Sequence, residues 1–283
     1  MERKLWPEIY RLVKRLGKGN PTPGVVHQNE TIVMIFLWAN LFDRPVNWAC
    51  QPGNWRRSWR PASFPHASTI SRRLKSAPVQ QILDELEDHL RSRQTPGIVQ
   101  MVDGKPLSVS RYSKDPDARW GHGAGGFAKG YKLHLIWGNR AFPEAWQLQP
   151  MNAAEPQVAM QMLTRLTGAG YVLGDGVYDI NQLHQRAREC GYQLVAPRKF
   201  PHKGIGKRAR DPGRLRCIAL LETKFGQQLH HWRDSIERQL GQLTNTCFGL
   251  KPLPNWVRRL DRVRRWVQGK LILNAFYRLH HSS

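Results

Sequence analysis

Three acidic residues stand in contexts that could bring them together: Asp103 in "GIVQMVDG", Asp175 in "GYVLGDGVYD" and Glu237 in "HWRDSIERQLGQLT". The first two follow apolar runs that read as buried strands. If those strands lie parallel and adjacent, both carboxylates emerge at one sheet end, where open α/β sheets build their sites. Glu237 stands at the edge of a helical stripe of Leu229, Trp232, Ile236, Leu240 and Leu243, on a helix that would pack over the sheet. Three carboxylates in one place raise one another's pKa. Mg²⁺ offsets that repulsion, taking carboxylate oxygens while keeping positions open for water and phosphate. Each acid also has an ordinary use. Asp103 and Asp175 precede Gly as turn residues do, Asp175 can cap the next helix, and Glu237 can pair with Arg233 four residues earlier.

The elements that must position these acids can be read from the same region. "GIVQMVDG" is expected to close in an Asp-Gly turn with "KPLSVSRYS" as its hairpin partner. A glycine-rich loop, "RWGHGAGGFAKG", leads to strands in "YKLHLIWG" and "AFPEAWQLQP". Then come a helix over 152–167, the Asp175 strand, a helix over 181–190, a strand in "YQLVAPRK", and a basic loop through Gly213 into one long helix carrying Glu237. The order implies an α/β fold, a mixed sheet flanked by helices.

Charge points to the partner. The 283 residues hold 44 Lys plus Arg against 21 Asp plus Glu, a net charge of +23, with a pI near 10.6. So positive a chain favours a polyanion, and nucleic acid leads because neutralised phosphates release counterions. The four cysteines are far apart, which fits neither a zinc site nor a disulfide framework and suits a reducing cytosol. "TIVMIFLWA" is too short to span a bilayer, and no signal region follows "MERKLW". A cytoplasmic, nucleoid-associated protein with no membrane partner is expected.

Residues 1–95 read as a helical region, with helices over 6–16 and 30–41 around the break "GKGNPTPG". Ser68 or Thr69 is placed to cap a short helix carrying Arg72, Arg73 and Lys75. That pattern suits the second helix of a helix-turn-helix, with its first polar residues at base edges and its basic residues at phosphates. A solvated basic helix is the alternative. "QTPG" at 94–97 marks a boundary, and 96–283 is the expected second domain. Its last stretch, from "LPNW" onward, reads as an amphipathic helix with Trp256, Leu260, Val263, Val267 and Leu271 inward. Arg258, Arg259, Arg262 and Arg265 then form an outward ridge for DNA backbone, or simply a charged solvated face.

Four motifs in order carry a resemblance to bacterial insertion-sequence DDE transposases. "VDGKPL" resembles that family's first-Asp strand, and "DPDARWGHGAGGFAKGYKLHL" its Asp-Ala-Arg-Trp-Gly segment with the following Gly-Tyr-Lys-x-His strand. "VLGDGVYD" is similar to the second-Asp strand, and "RDSIERQL" to the Arg-x-x-(Ile/Val)-Glu core of the third-acid helix. The resemblance implies a ribonuclease H-like catalytic domain in which Asp103, Asp175 and Glu237 are catalytic and hold two Mg²⁺, with Mn²⁺ able to substitute. It implies DNA cleavage by water at the transposon ends, then attack of the freed 3′-OH on target DNA. The implied partners are double-stranded terminal inverted repeats, target DNA and a second copy of the chain as a homodimer on DNA. Arg233, Lys129 and Lys132 become candidate phosphate contacts. His230 and Thr244 stand where the family has a Tyr and a DNA-contacting Lys, a loss for which Arg238 is a candidate compensation. A DNA-binding remnant and a nuclease that cuts without joining are the two rival readings.

Overall fold

The computed structural model describes residues 2–19, 22–123, 125–207, 210–246 and 249–281. The chain divides into two compact units, one of residues 1–94, 245–257 and 262–283, the other of 95–244 and 258–261.

The first unit begins with helices α1 (Glu2–Gly19), α2 (Asn29–Leu41), α3 (Val46–Ala49), α4 (Ala67–Arg73) and α5 (Ala77–Ser92). Residues Ile32 to Leu41 of α2 are buried without interruption. A helix apolar all round belongs at the centre of a bundle. Trp38 stacks on Trp55 at 4.6 Å and meets Trp6 edge-on at 4.7 Å, geometries that aromatic quadrupoles favour. The short helix α4 forms where the sequence places it, but its cap differs. His66 Nδ1 accepts from the Ser68 amide, so Ser68 and Thr69 fall inside the first turn.

The second unit holds β1 (Val99–Ser108), β2 (Arg119–Gly123), β3 (Gly126–Trp137), β4 (Ala145–Pro150), α6 (Glu155–Leu163), β5 (Gly170–Leu173), α7 (Asn181–Glu189), β6 (Tyr192–Val195), α8 (Pro212–Glu222), α9 (Lys224–His231) and α10 (Asp234–Asn245). The strands lie in the order β2-β3-β1-β5-β6, with β4 also on β3. β1 is antiparallel to β3 and parallel to β5, which is parallel to β6. This is the mixed, helix-flanked sheet expected from the sequence.

Two expectations are corrected here. Asp103-Gly104 makes no turn: β1 runs straight through it, paired with β3 from Met101↔Trp137 to Ser108↔Gly130. β5 pairs with β1 only from Val99 to Met101. Beyond that point β1 has one ladder partner, which leaves room for the missing N–H of Pro106. The expected long helix around Glu237 is three helices. Trp232 closes α9, so Leu229, Ile236, Leu240 and Leu243 are buried while Trp232 is 62% exposed.

The last helix, α11 (Leu260–His281), differs most from expectation. From Arg262 onward it belongs to the first unit, and from Trp266 to Phe276 every residue is buried. Lys270 explains the anchoring: its buried ammonium pairs with Asp43 at 2.5 Å and donates to the Asn40 carbonyl at 2.7 Å. Gln268 donates to Asp84 and Glu87. Arg258 and Arg259 precede the helix, and Arg262 and Arg265 stand in its first turns ahead of that buried stretch, so the four do not run along it as one ridge. Among the described residues no helix is long and apolar enough to cross a membrane. Cys50, Cys190 and Cys217 are free, and Cys247 lies outside the described residues.

Candidate active site

Parallel pairing of β1 with β5 places Asp103 and Asp175 together. The last ladder pair is Met101↔Leu173, and each aspartate follows two residues later in its own chain. Side chains alternate across a strand, so Asp103 shares a face with Met101. Met101 meets Ser235 of α10 on that face, its sulfur accepting from the hydroxyl at 2.7 Å. The aspartates are oriented by local amides. Asp103 Oδ1 accepts from the Gly104 N–H at 2.7 Å and Asp175 Oδ1 from the Val177 N–H at 2.8 Å.

Burial pushes the Asp103 carboxyl up to about 6. The Gly104 amide and the Arg233 guanidinium oppose this, while the charges of Asp175 and Glu155 add to it. Lys105, two residues on and on the same face, is drawn below the usual lysine range by burial, against the pull of Asp103. A crowded carboxylate pair just past the end of the β1–β5 ladder is the electrostatic setting that a hard cation relieves.

Glu237 is not brought into that pair. Its side chain is 62% exposed and accepts from Arg233 Nη2 at 3.1 Å. Among the described residues no three His, Cys, Asp or Glu side chains are arranged to hold a metal. Arg233 stands between the groups, close enough to act on Asp103 while paired with Glu237. A ring nitrogen of His230 lies 3.1 Å from the Gly174 carbonyl, next to Asp175. The Thr244 hydroxyl donates to the Leu240 carbonyl within its own helix.

The basic candidates separate into groups. Arg72, Lys75, Arg262 and Arg265 line one cavity of about 300 Å³ in the first unit, together with Trp256 and Trp266. Two sets far apart in sequence are thus one surface. Arg73 is turned inward, donating to the His27 carbonyl and to Asn29 at 2.6 Å. Arg238 and Arg259 are exposed and Arg258 is half-buried. The Arg259 amide caps Asp115 at 3.0 Å. Lys129 donates to the Ser113 carbonyl. Lys132 is buried and taken by Glu155 at 2.6 Å, which removes it from the phosphate contacts.

Sequence reading missed three participants. Glu155 opens α6 as an ordinary first-turn acid and gives no other signal. Lys105 is visible only once β1 is known to continue past Asp103. Asp179 ends the "GVYD" stretch and is a buried anchor, held by Arg214 at 2.7 and 2.8 Å, by His184 at 3.3 Å and by the Lys199 amide. Burial alone raises its pKa, but these bonds outweigh it and hold the carboxyl far below the usual range.

A mixed sheet with two aspartates just past the ladder of its central parallel pair defines an α/β domain with an acidic site. The chain belongs to the transposase DDE-domain family, whose model matches residues 94–273. Among solved structures it is similar to a piggyBac transposase in a synaptic complex with hairpin DNA, at 10% identity and a TM-score of 0.47, over 95% of this chain and 71% of that one. No curated protein matches it.

Proposed function

We propose that the chain cuts DNA at the ends of its own mobile element and joins the freed 3′-OH to target DNA, with Asp103, Asp175 and Glu237 as the metal-holding acids. The observation that carries this reading is the Asp103–Asp175 pair at the β1/β5 end, where burial and neighbouring charge push Asp103 up to about 6. Two neighbouring carboxylates offer oxygen ligands that suit divalent Mg²⁺ or Mn²⁺. A bound pair of ions would sharpen the attacking oxygen and stabilise the leaving one. The chain's own part is to orient the aspartates through the Gly104 and Val177 amides and to present positive charge to phosphate through Arg233, Arg238 and Lys105. Arg72, Lys75, Arg262 and Arg265 would hold DNA backbone in the first unit, with Ser68 and Thr69 at the exposed start of α4. The partners proposed are terminal inverted repeats, target DNA and a second copy of the chain, in the nucleoid of the cytoplasm.

Glu237 must leave Arg233 to join the aspartates, and that observation favours one rival, a DNA-binding remnant. Incubation of the full chain with Mg²⁺ and DNA carrying the flanking inverted repeats separates the readings. Joined product supports transposition, nicking without joining supports a nuclease, and binding without cleavage supports the remnant.

A further inference from the structure

The ladder between β1 and β5 stops at Met101↔Leu173, before either aspartate. Backbone hydrogen bonds between these strands therefore do not set the spacing of Asp103 and Asp175. On the opposite face of the sheet a single carboxylate spans the same gap. Glu155 Oε1 accepts from Lys132 Nζ at 2.6 Å and its Oε2 accepts from the Tyr178 hydroxyl at 3.1 Å. Lys132 is on β3 and Tyr178 follows β5, so the two donors come from the elements on either side of β1.

The glycines beside the two aspartates make this possible. A Cβ on Gly104 would sit 3.0 Å from Lys132 Cδ and 3.1 Å from Glu155 Oε2. A Cβ on Gly174 would sit 2.9 Å from Tyr178 Cδ2 and 3.0 Å from Val102 Cγ1. Each motif thus pairs an acid on one face with a bare backbone position against the Lys132–Glu155–Tyr178 bridge on the other. His134, in register with Gly104, is buried beside them. The Lys132 side chain is 8% and that of Glu155 22% exposed, and an ion pair so largely withdrawn from water is weak evidence of a stabilising role.

We propose that Glu155 is a positioning residue: bridging Lys132 and Tyr178 beneath β1, it fixes the separation of Asp103 and Asp175 at which they hold a divalent cation. The proposal rests on the metal-holding role of those aspartates.

Mn²⁺ binding to the full chain, followed by the paramagnetic resonance signal of free Mn²⁺, tests it alongside melting temperature. Glu155→Asp keeps the charge but is too short to bridge, and it should weaken Mn²⁺ binding at least tenfold. Glu155→Gln keeps the reach and should stay within about threefold of wild type, as a positioning role by length requires. Tyr178→Phe keeps the buried ring, loses one arm of the bridge and should weaken binding several-fold, which preserves the test if Glu155→Asp does not fold. Asp103→Asn serves as the reference. If it loses Mn²⁺ while Glu155→Asp and Tyr178→Phe, both folded, bind within twofold of wild type, the positioning role is wrong and the metal role stands. If wild type binds no Mn²⁺, or Asp103→Asn binds as tightly as wild type, both are wrong.

Discussion

Replacing Asp103 with Asn should stabilise the protein while abolishing its proposed chemistry. Asp103 is largely buried, and burial with the charges of Asp175 and Glu155 lifts its carboxyl from the ordinary 3.8 to about 6. That difference corresponds to about 3 kcal/mol of unfavourable free energy for the ionised form above pH 6. Asn removes the charge and keeps an oxygen to accept the Gly104 N–H, so about 1–3 kcal/mol should be recovered after relaxation and solvent screening. The corresponding rise in Tm is about 3–8 °C at pH 8. The pH dependence fixes the sign. A raised carboxyl pKa means that the folded state holds the proton more tightly, so wild-type stability falls as pH rises from about 4 to 6 and then levels off. The advantage of Asn should therefore be full at pH 8, about half as large near pH 5 and mostly gone near pH 4. Differential scanning calorimetry of both proteins across that range is the assay. An Asn variant no more stable than wild type at pH 8, or equally advantaged at pH 4 and pH 8, would refute the reasoning.

Other outcomes follow from named contacts. Asp179→Ala removes the buried carboxylate that accepts from Arg214, His184 and the Lys199 amide and should cost about 3–5 kcal/mol in urea unfolding; a loss under 1 kcal/mol contradicts the anchor. Because the Asp179 carboxyl is held far below its ordinary value, its contribution is present above about pH 4 and fades as pH falls further. Gly130→Ala would put a Cβ 2.3 Å from the Leu107 carbonyl oxygen and should cost more than about 2 kcal/mol by forcing β1 from β3. Arg233→Gln removes a charge that favours ionised Asp103, so the acidic limb of any Mg²⁺-dependent cleavage should move to higher pH; an unmoved limb places Arg233 elsewhere. Replacing Arg72, Lys75 and Arg262 together by Ala should reduce the salt slope of DNA binding by about 2–3 if each meets a phosphate.

What was legible in the sequence came from local rules. Apolar runs ending in Asp identified β1 and β5, and it is the parallel pairing of those two strands that brings Asp103 and Asp175 together. The Asp-Gly turn failed because that dipeptide turns only when the flanking residues pair with each other, whereas Gly104 and Pro106 pair with β3. The stripe through Trp232 failed because periodicity extrapolates across a helix break that no Pro or Gly marks. Lys270 and Glu155 were opaque for one reason: their partners, Asp43, Lys132 and Tyr178, are distant in sequence, and a charged residue reads as exposed until its partner is known. The arginines of α4 and α11 read as two separate basic surfaces because nothing local says that the chain's two ends fold into one unit.

The most direct measurement is strand transfer with a pre-cut inverted-repeat end bearing a free 3′-OH, in Mg²⁺, by wild type and by Asp103→Asn, Asp175→Asn and Glu237→Gln. Joined product from wild type alone, with DNA binding retained by all three variants, is the expected result. Joining by any one of the variants at the wild-type rate would contradict the assignment of that acid, and joining by all three would place the chemistry elsewhere in the chain.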